Sequence, residues 1–441
     1  MNPIGICIIA GTTLFPAYQL FMLPNVSDQI ALFSQCLGLA ALVLMAWGQI
    51  LATRLPGIEF MFGGLDRVYI LHKWAGIAAM VAILLHDTID AEMRDLGRET
   101  VLTEIAETLG EISLYGLLVL VVISVATFIP YHLWKWSHKA MGALFAAASF
   151  HFFFIMKPFA TSDPAGLYTG AFCLAGFLAY VWTLLPEEVR PSRAYRISNL
   201  EQTGGATAIT MVPDAAGLRP APGQFGIFSF VGSGHGEPHP YSFSKTSSDG
   251  TLRVTVKPLG DFTTRLGHIL ETGQVVRVQG PFGRFRLSGK SPEVWIAGGI
   301  GITPFLTWAT SLKADADPVH LFYCVRTRND AVHLSEIEEI AKSKPNLSLH
   351  VIVSAEGNRL TADGIAKVVG ADLSGVKASF CGPVSLRRVL QKDLLRYGVT
   401  PRRFHYEEFE FRTGIGLKRL AQWLVGKSWG AAPHIVNIKS E

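Results

Sequence analysis

The sequence predicts a bundle of six membrane-spanning helices, followed by a small antiparallel β-barrel and an α/β domain built on a parallel sheet. Three observations point to this fold class: a composition too apolar for a soluble enzyme, an abrupt change of that composition near residue 186, and a change of strand rhythm near residue 291. Of the 441 residues, 49% are hydrophobic and only 17% charged, well away from the average of soluble domains. The excess lies before Pro186, in long apolar runs, whereas from Glu187 onward the chain reads as a water-soluble α/β protein. The expected divisions are residues 1–186 for the membrane part, 187–290 for the barrel, 291–412 for the parallel-sheet domain and 413–441 for a tail.

A helix that spans a bilayer needs roughly 20 mostly apolar residues. Residues 4–23, 30–52, 69–89, 112–129, 136–156 and 166–185 meet that need. No basic residue precedes the first run, so it is read as a retained helix rather than a cleaved signal. An even count puts both ends on one side, and Lys and Arg accumulate on the cytoplasmic side. The loops after spans two and four and the exit from span six hold Arg54, Arg67, Lys73, Lys135, Lys139, Arg190, Arg193 and Arg196. The opposite loops hold Arg94, Arg98 and Lys157 against Asp87, Asp90, Glu92, Asp95, Glu99, Glu104 and Glu107. Both termini and the soluble half are therefore expected in the cytoplasm. The net charge of +4 is too small, and too evenly spread, for a nucleic-acid partner. The five cysteines show no metal-ligand or paired spacing, so no disulfide framework, zinc site or iron–sulfur site is expected.

The third span carries His72 and His86, and the fifth carries His138 and His151. Ionisable residues within a membrane are costly and usually functional. Fourteen residues of α-helix return to nearly the same face about 21 Å further on, so one face presents imidazoles at two depths. Spans three and five run the same way, which pairs His72 with His138 near the cytoplasm and His86 with His151 near the outer surface. Imidazole suits iron, and each facing pair provides the two axial ligands of a six-coordinate b-type haem. Isolated histidines satisfied by helix–helix hydrogen bonds are the plainer reading of any one of them, but four in matched pairs favour ligation. The thirteen-residue step in span five leaves His151 roughly 140° off the face of His138, so a local kink or overwinding near Gly142 or residues 146–149 is expected to correct it. His132 has no matching partner and is read as an interfacial loop residue.

In the soluble half, short alternating strands up to about residue 287 suggest the barrel. Along it stand Pro222-Gly223-Gln224-Phe225, then His239-Pro240-Tyr241-Ser242-Phe243-Ser244, then Gly260 with Thr263 and Thr264, then Gly280-Pro281-Phe282-Gly283. Taken singly, Tyr241 reads equally as barrel core, and Gly260 to Thr264 as a hairpin or helix start. Beyond Glu293 the pattern becomes alternating strand and helix, with buried strands at residues 294–297, 319–325, 347–353 and 378–381. The first is followed by Gly298-Gly299-Ile300-Gly301-Ile302-Thr303-Pro304, where glycines let backbone N–H groups approach a pyrophosphate at a helix N-terminus. The last closes on Phe380-Cys381-Gly382-Pro383.

The paired histidine spacings resemble the NADPH oxidase and ferric reductase superfamily of transmembrane haem proteins. The soluble motifs, in this order, resemble the flavin and nicotinamide domains of the ferredoxin-NADP reductase superfamily. The resemblance implies FAD, two haem b and NADPH or NADH as cofactors, a multi-pass place in a bacterial inner membrane, and electrons entering at the His72/His138 haem and leaving from the His86/His151 haem. It implies that Tyr241 packs on the isoalloxazine, that Ser242 hydrogen-bonds near its N5, and that His239, where an Arg is usual, lies by the diphosphate. Pro240, Ser244, Gly260, Thr263 and Thr264 complete the flavin motifs, and Gly298, Gly299, Gly301, Thr303, Pro304, Gly382 and Pro383 the nicotinamide ones. Cys381 is implied beside the hydride-transfer locus, although a strand cysteine is more often an ordinary buried thiol. His405-Tyr406-Glu407-Glu408-Phe409 is similar to the superfamily's terminal Glu-x-Phe, which implies Glu407 near the reaction centre and Phe409 over the flavin. Arg326 and Arg328 would clamp a 2′-phosphate and favour NADPH, or stand as solvated loop charges. The chain continues past the family's usual end. Leu417, Leu420, Trp423 and Leu424 at helical spacing suit a membrane-surface helix or a packing helix equally.

Three functions compete at this point. The first is an NAD(P)H oxidase or ferric reductase passing electrons to dioxygen, giving superoxide, or to ferric ion, with no protein partner implied. The second is a reductase feeding a partner protein or quinone. The third is a non-enzymatic haem-binding or transport module, against which the full set of flavin and nicotinamide motifs argues.

Overall fold

A computed structural model describes residues 3–22, 28–89, 99–125, 129, 131–186, 189–231, 238–289 and 291–407. Seven helices come first: α1 (Pro3–Phe21), α2 (Gln29–Ala52), the short α3 (Pro56–Phe62), α4 (Leu65–Thr88), α5 (Val101–Val125), α6 (Tyr131–Phe154) and α7 (Pro164–Leu184). Among the described residues five of them, α1, α2, α4, α5 and α7, are long and apolar enough to cross a membrane. α6 is as long, at 24 residues, but is made more polar by Lys135, Lys139, His132, His138 and His151. Large apolar side chains such as Tyr115, Val122, Leu167 and Leu174 are exposed on these helices, a surface that water would not tolerate at this extent.

Local chemistry sets the boundaries. Asp28 caps α2 by accepting from the N–H groups of Ile30 and Ala31. Pro56 starts α3, and Gly63, at φ +95°, ends it. α5 begins at Val101 rather than at residue 112, so Glu104 and Glu107 are helical and not loop acids. A hydropathy count misses that start because the acids depress it. Thr100 Oγ1 caps the first turn through the Thr103 N–H, and acids there suit the helix dipole. α6 begins at Tyr131, which places His132 in its first turn instead of in a loop, and it runs uninterrupted through Gly142 and residues 146–149.

The chain forms two compact units, one holding Cys7–Thr53 with Leu71–Val181, the other joining Arg54–Ile70 to the soluble half. In the latter, β1 (Arg193–Thr203), β2 (Ala206–Pro213), β3 (Phe225–Phe230), β4 (His239–Thr246), β5 (Leu252–Val256) and β6 (Val275–Phe282) close an antiparallel barrel in the order β1-β2-β5-β4-β3-β6, with α8 (Asp261–Ile269) between β5 and β6. Its interior is filled by Tyr195, Phe228, Phe230, Phe243, Val254 and neighbours. Next come β7 (Glu293–Gly298), α9 (Thr303–Ser311), β8 (Val319–Val325), α10 (Leu334–Ser343), β9 (Leu347–Val353), α11 (Ala362–Val369), β10 (Lys377–Cys381), α12 (Val384–Asp393) and β11 (Phe404–Tyr406). These five strands are parallel, in the order β11-β10-β7-β8-β9. The four strands expected from the sequence are all present. β11 is a fifth, too short to stand out by periodicity.

Candidate functional site

Each of the four paired histidines has its Nδ1 engaged by a neighbouring helix. On α4, His72 Nδ1 donates to the Gly48 carbonyl at 2.9 Å, and His86 Nδ1 to the Ser34 carbonyl at 2.9 Å with Ser34 Oγ at 2.8 Å. Both acceptors belong to α2. On α6, His151 Nδ1 donates to the Ala106 carbonyl at 2.9 Å, and His138 Nδ1 meets Ser124 Oγ at 3.1 Å. Both of these partners belong to α5. A carbonyl only accepts, so His72, His86 and His151 carry the proton on Nδ1 and leave the Nε2 lone pair for another partner, as metal-bound imidazoles do.

The His72 and His138 rings stand 5.9 Å apart, centroid to centroid. Two nitrogens about 2 Å from a shared metal put imidazole centroids at about this separation, so the pair fits an iron between them. His86 and His151 lie within Coulombic reach of each other. The helices are thinned beside the rings: a Cβ on Gly38 would lie 3.3 Å from His86 Nε2, and one on Gly110 would lie 2.5 Å from His151 Nδ1. No cluster of three or more metal-ligating side chains occurs among the described residues. The sequence reading missed the anchors Ser34, Gly48, Ala106 and Ser124. Their signal was small residues on α2 and α5 at the depth of each histidine.

In the barrel, β4 carries His239, Pro240, Tyr241, Ser242 and Ser244, while Gly260 is the N-cap of α8 with Thr263 and Thr264 in its first turn. Thr263 Oγ1 accepts from the N–H groups of Leu259 and Gly260. β4 and α8 meet where His239 stacks on Phe262 at 4.0 Å. Tyr241 has a buried hydroxyl without a partner among the described residues, and burial pushes its phenol up from the usual value. An orphaned polar atom on this strand fits a flavin edge. Ser244 is turned elsewhere: its Oγ accepts from Arg253 Nε at 3.1 Å and from Thr255 Oγ1 at 3.0 Å. Arg253 in turn pairs with Glu336 on α10 at 2.7 Å, so Ser244 stands in an interior polar network.

In the parallel-sheet part, Gly298 ends β7, Gly299 and Gly301 form a 3-10 turn, and Thr303 and Pro304 open α9. The glycines are required: a Cβ on Gly301 would strike the Cys381 carbonyl, one on Gly298 would strike Pro383, and Gly299 has φ +54°. The turn after β7 and the Cys381-Gly382-Pro383 turn after β10 therefore lie against each other at the start of α9. Cys381 is buried, and burial followed by the nearby Glu407 carboxyl pushes its thiol up. Glu407 is buried directly after β11, with Oε2 unpartnered among the described residues. Arg326 is exposed beyond β8, and Arg328 is held by Glu338 at 3.1 Å. Phe409, Glu408 and the tail from residue 413 lie outside the described residues.

The fold class is a helical part with membrane-length apolar helices, joined to a closed antiparallel barrel and a five-stranded parallel-sheet domain. Residues 37–149 match the ferric reductase like transmembrane component family, and residues 295–392 match the oxidoreductase NAD-binding domain. The chain thus carries a segment like the ferric reductase transmembrane component, followed by a segment like the oxidoreductase NAD-binding domain. It is 28% identical over 224 residues to the toluate 1,2-dioxygenase electron transfer component of Pseudomonas putida, covering 48% of this chain and 66% of that one. It is 26% identical over 200 residues to the ferredoxin–NAD(P)(+) reductase component of the naphthalene 1,2-dioxygenase/salicylate 5-hydroxylase systems of Ralstonia sp, covering 43% and 60%. The chain thus spans less than two thirds of either relative. A flavohemoglobin structure from Malassezia yamatoensis, with bound FAD and heme, is 16% identical over 90% of this chain and 98% of that one, at TM-score 0.48.

Proposed function

We propose that this chain carries electrons across the bilayer, from cytoplasmic NAD(P)H through FAD and two b-type haems to dioxygen or a ferric chelate on the outer side. The observation that carries the reading is that all four intramembrane histidines have Nδ1 engaged by α2 or α5, which leaves the other ring nitrogen for a further partner. In this reading residues 1–186 form a six-span haem domain in a bacterial inner membrane, with α6 as the span whose polarity reflects its ligands. Residues 187–290 form the flavin barrel, residues 291–412 the nicotinamide domain, and both termini are cytoplasmic.

FAD, when bound, accepts an electron pair as hydride and passes electrons on singly, the conversion needed between nicotinamide and iron. The residues have separate tasks. Tyr241 packs on the flavin and offers its orphaned hydroxyl, Ser242 lies near the reacting nitrogen, and His239 and Gly260 to Thr264 hold the phosphates. Gly298 to Pro304 and Gly382-Pro383 cradle the nicotinamide cofactor, with Arg326 toward its 2′-phosphate. Cys381 and Glu407 line the hydride locus, where the uncharged Cys381 thiol keeps water away, and Phe409 keeps the flavin-covering role that the resemblance implies. His72 with His138, and His86 with His151, would each hold one haem iron, and an outer acceptor would then be reduced without binding iron.

The test is purified full chain in detergent with added FAD. NADPH should reduce b-type haem in a reduced-minus-oxidised spectrum and sustain turnover with oxygen or anaerobic ferric chelate. Absence of b-type absorbance, or a full haem complement after His72, His86, His138 and His151 are all changed to alanine, refutes the reading. Haem that is present but not reduced by NADPH leaves the non-enzymatic module instead.

A further inference from the structure

Carboxyl groups from separate stretches of one compact unit converge on Gly283. Glu59, from α3, accepts a hydrogen bond from the Gly283 N–H at 2.7 Å. On the same glycine, at φ +98°, a Cβ would lie 2.8 Å from Glu407 Oε1. The two carboxyls therefore flank a single residue that has no side chain to separate them. Asp66, in the first turn of α4, is the third member: it pairs with Arg67 at 3.2 Å and acts electrostatically on Glu407. α3 is held in this register by Arg284, which donates to the Phe60 carbonyl at 2.5 Å and lies over the Phe60 ring at 5.0 Å. Glu407 is 8% exposed, with Oε2 unpartnered among the described residues, so that oxygen is open to a further partner.

We propose that Glu59 is a positioning residue for the reductase site: docked on the Gly283 N–H, its charge, with that of Asp66, makes Glu407 stand as a hydrogen-bond donor, and not as a carboxylate, at the nicotinamide–flavin locus. The inference rests on the functional reading above for what Glu407 faces, but not for the coupling between the carboxyls. Burial, then the charges of Asp66 and Glu59, push Glu407 well above the ordinary carboxylate range. Burial also raises Glu59, against the Gly283 N–H and the Arg284 guanidinium, which pull it down. The other ionisable groups facing the cluster are the Cys381 thiol, which burial keeps neutral, Arg67 on Asp66, and Arg387, which lies over Tyr406 at 3.9 Å. With Oε2 unpartnered among the described residues and two further carboxyls beside it, the protonated form of Glu407 is the one this site accommodates. A neutral carboxyl also lets two negatively charged cofactors approach without like-charge repulsion.

Glu59→Gln keeps an amide oxygen for the Gly283 N–H and removes only the charge. Infrared spectra of the full chain in detergent, free of flavin, should show a protonated carboxyl band that shifts in heavy water and vanishes in Glu407→Gln. In Glu59→Gln that band should be lost on raising the pH roughly one unit sooner than in the wild type. Glu59→Asp should restore most of the difference, and Asp66→Asn should act in the same direction as Glu59→Gln. The alkaline limb of NADPH-driven flavin reduction should move with the band. A Glu407 band with the same pH limit in the wild type, Glu59→Gln and Asp66→Asn overturns the proposal, as does a wild type in which Glu407 is ionised at neutral pH. If the band moves as expected yet NADPH reduces no flavin, the carboxyl coupling is supported and the functional reading is what fails.

Discussion

Changing Gly110 to alanine should remove one haem and leave the other. Gly110 follows Ala106 by one helical turn on the same face of α5, and Ala106 is the residue whose carbonyl accepts from His151 Nδ1 at 2.9 Å. The new Cβ would lie 2.5 Å from that nitrogen and 3.0 Å from Cε1. An ordinary contact needs about 3.5 Å or more, so the ring must retreat about 1 Å and give up the carbonyl. Leaving that buried N–H and carbonyl unmatched costs about 1–3 kcal/mol. Losing an outer partner of a metal-bound histidine typically costs 10–100-fold in affinity, or about 1.4–2.8 kcal/mol, so the two routes to the magnitude agree. Haem per polypeptide, measured as the pyridine haemochrome on purified protein, should fall from about two toward one. The remaining haem, held by His72 and His138, should still be reduced by NADPH. Gly76→Ala is the control, since a Cβ there meets nothing within 4 Å. A Gly110→Ala protein with the haem content and spectrum of the wild type would refute the assignment of His151 as an anchored ligand.

Ser124→Ala removes the hydroxyl 3.1 Å from His138 Nδ1, so retention of the inner haem during dilution or gel filtration should fall by about 10-fold or more while outer-haem absorbance persists. Arg326→Ala should lower kcat/KM for NADPH by roughly 10-fold or more and leave NADH nearly unchanged, whereas Arg328→Ala, whose guanidinium is held by Glu338, should change neither. For Glu336, burial alone would raise the carboxyl. His333 and Arg253 overcome it and hold the group at about 2. A depressed carboxyl contributes stability above its unfolded value of about 4.3 and loses it as pH falls toward the folded one. Because the side chain is 30% exposed, screening leaves an expected loss of about 1–2 kcal/mol in Glu336→Gln at neutral pH, shrinking as the pH falls from about 4.3 toward 2. Thermal unfolding across pH would show this, and a pH-independent difference would refute it.

The order of parts was legible because each speaks in a different period: apolar runs of membrane length, then alternation, then strand and helix in turn. Where boundaries were misread, a local group had outweighed composition, as at Val101, where Thr100 and two acids carry α5 well beyond its apolar stretch. α3 was invisible because seven residues between Pro56 and Phe62 have no periodicity to read, and the partner that fixes Glu59 lies more than two hundred positions away. The histidine problem is the instructive one. From helical geometry alone, thirteen residues should turn His151 well away from His138, which called for a local kink or overwinding of α6. α6 has no interruption, yet both rings reach α5, one at Ser124 and the other at Ala106. A side chain with two rotatable bonds can cover much of that angle when an acceptor waits at the right depth. The ligand spacing on α6 is therefore constrained by where α5 presents its oxygens, just as α4 is constrained by Gly48 and Ser34 on α2. It follows that spacing on one helix is a weaker signature of such a site than the small residues that face it from the next.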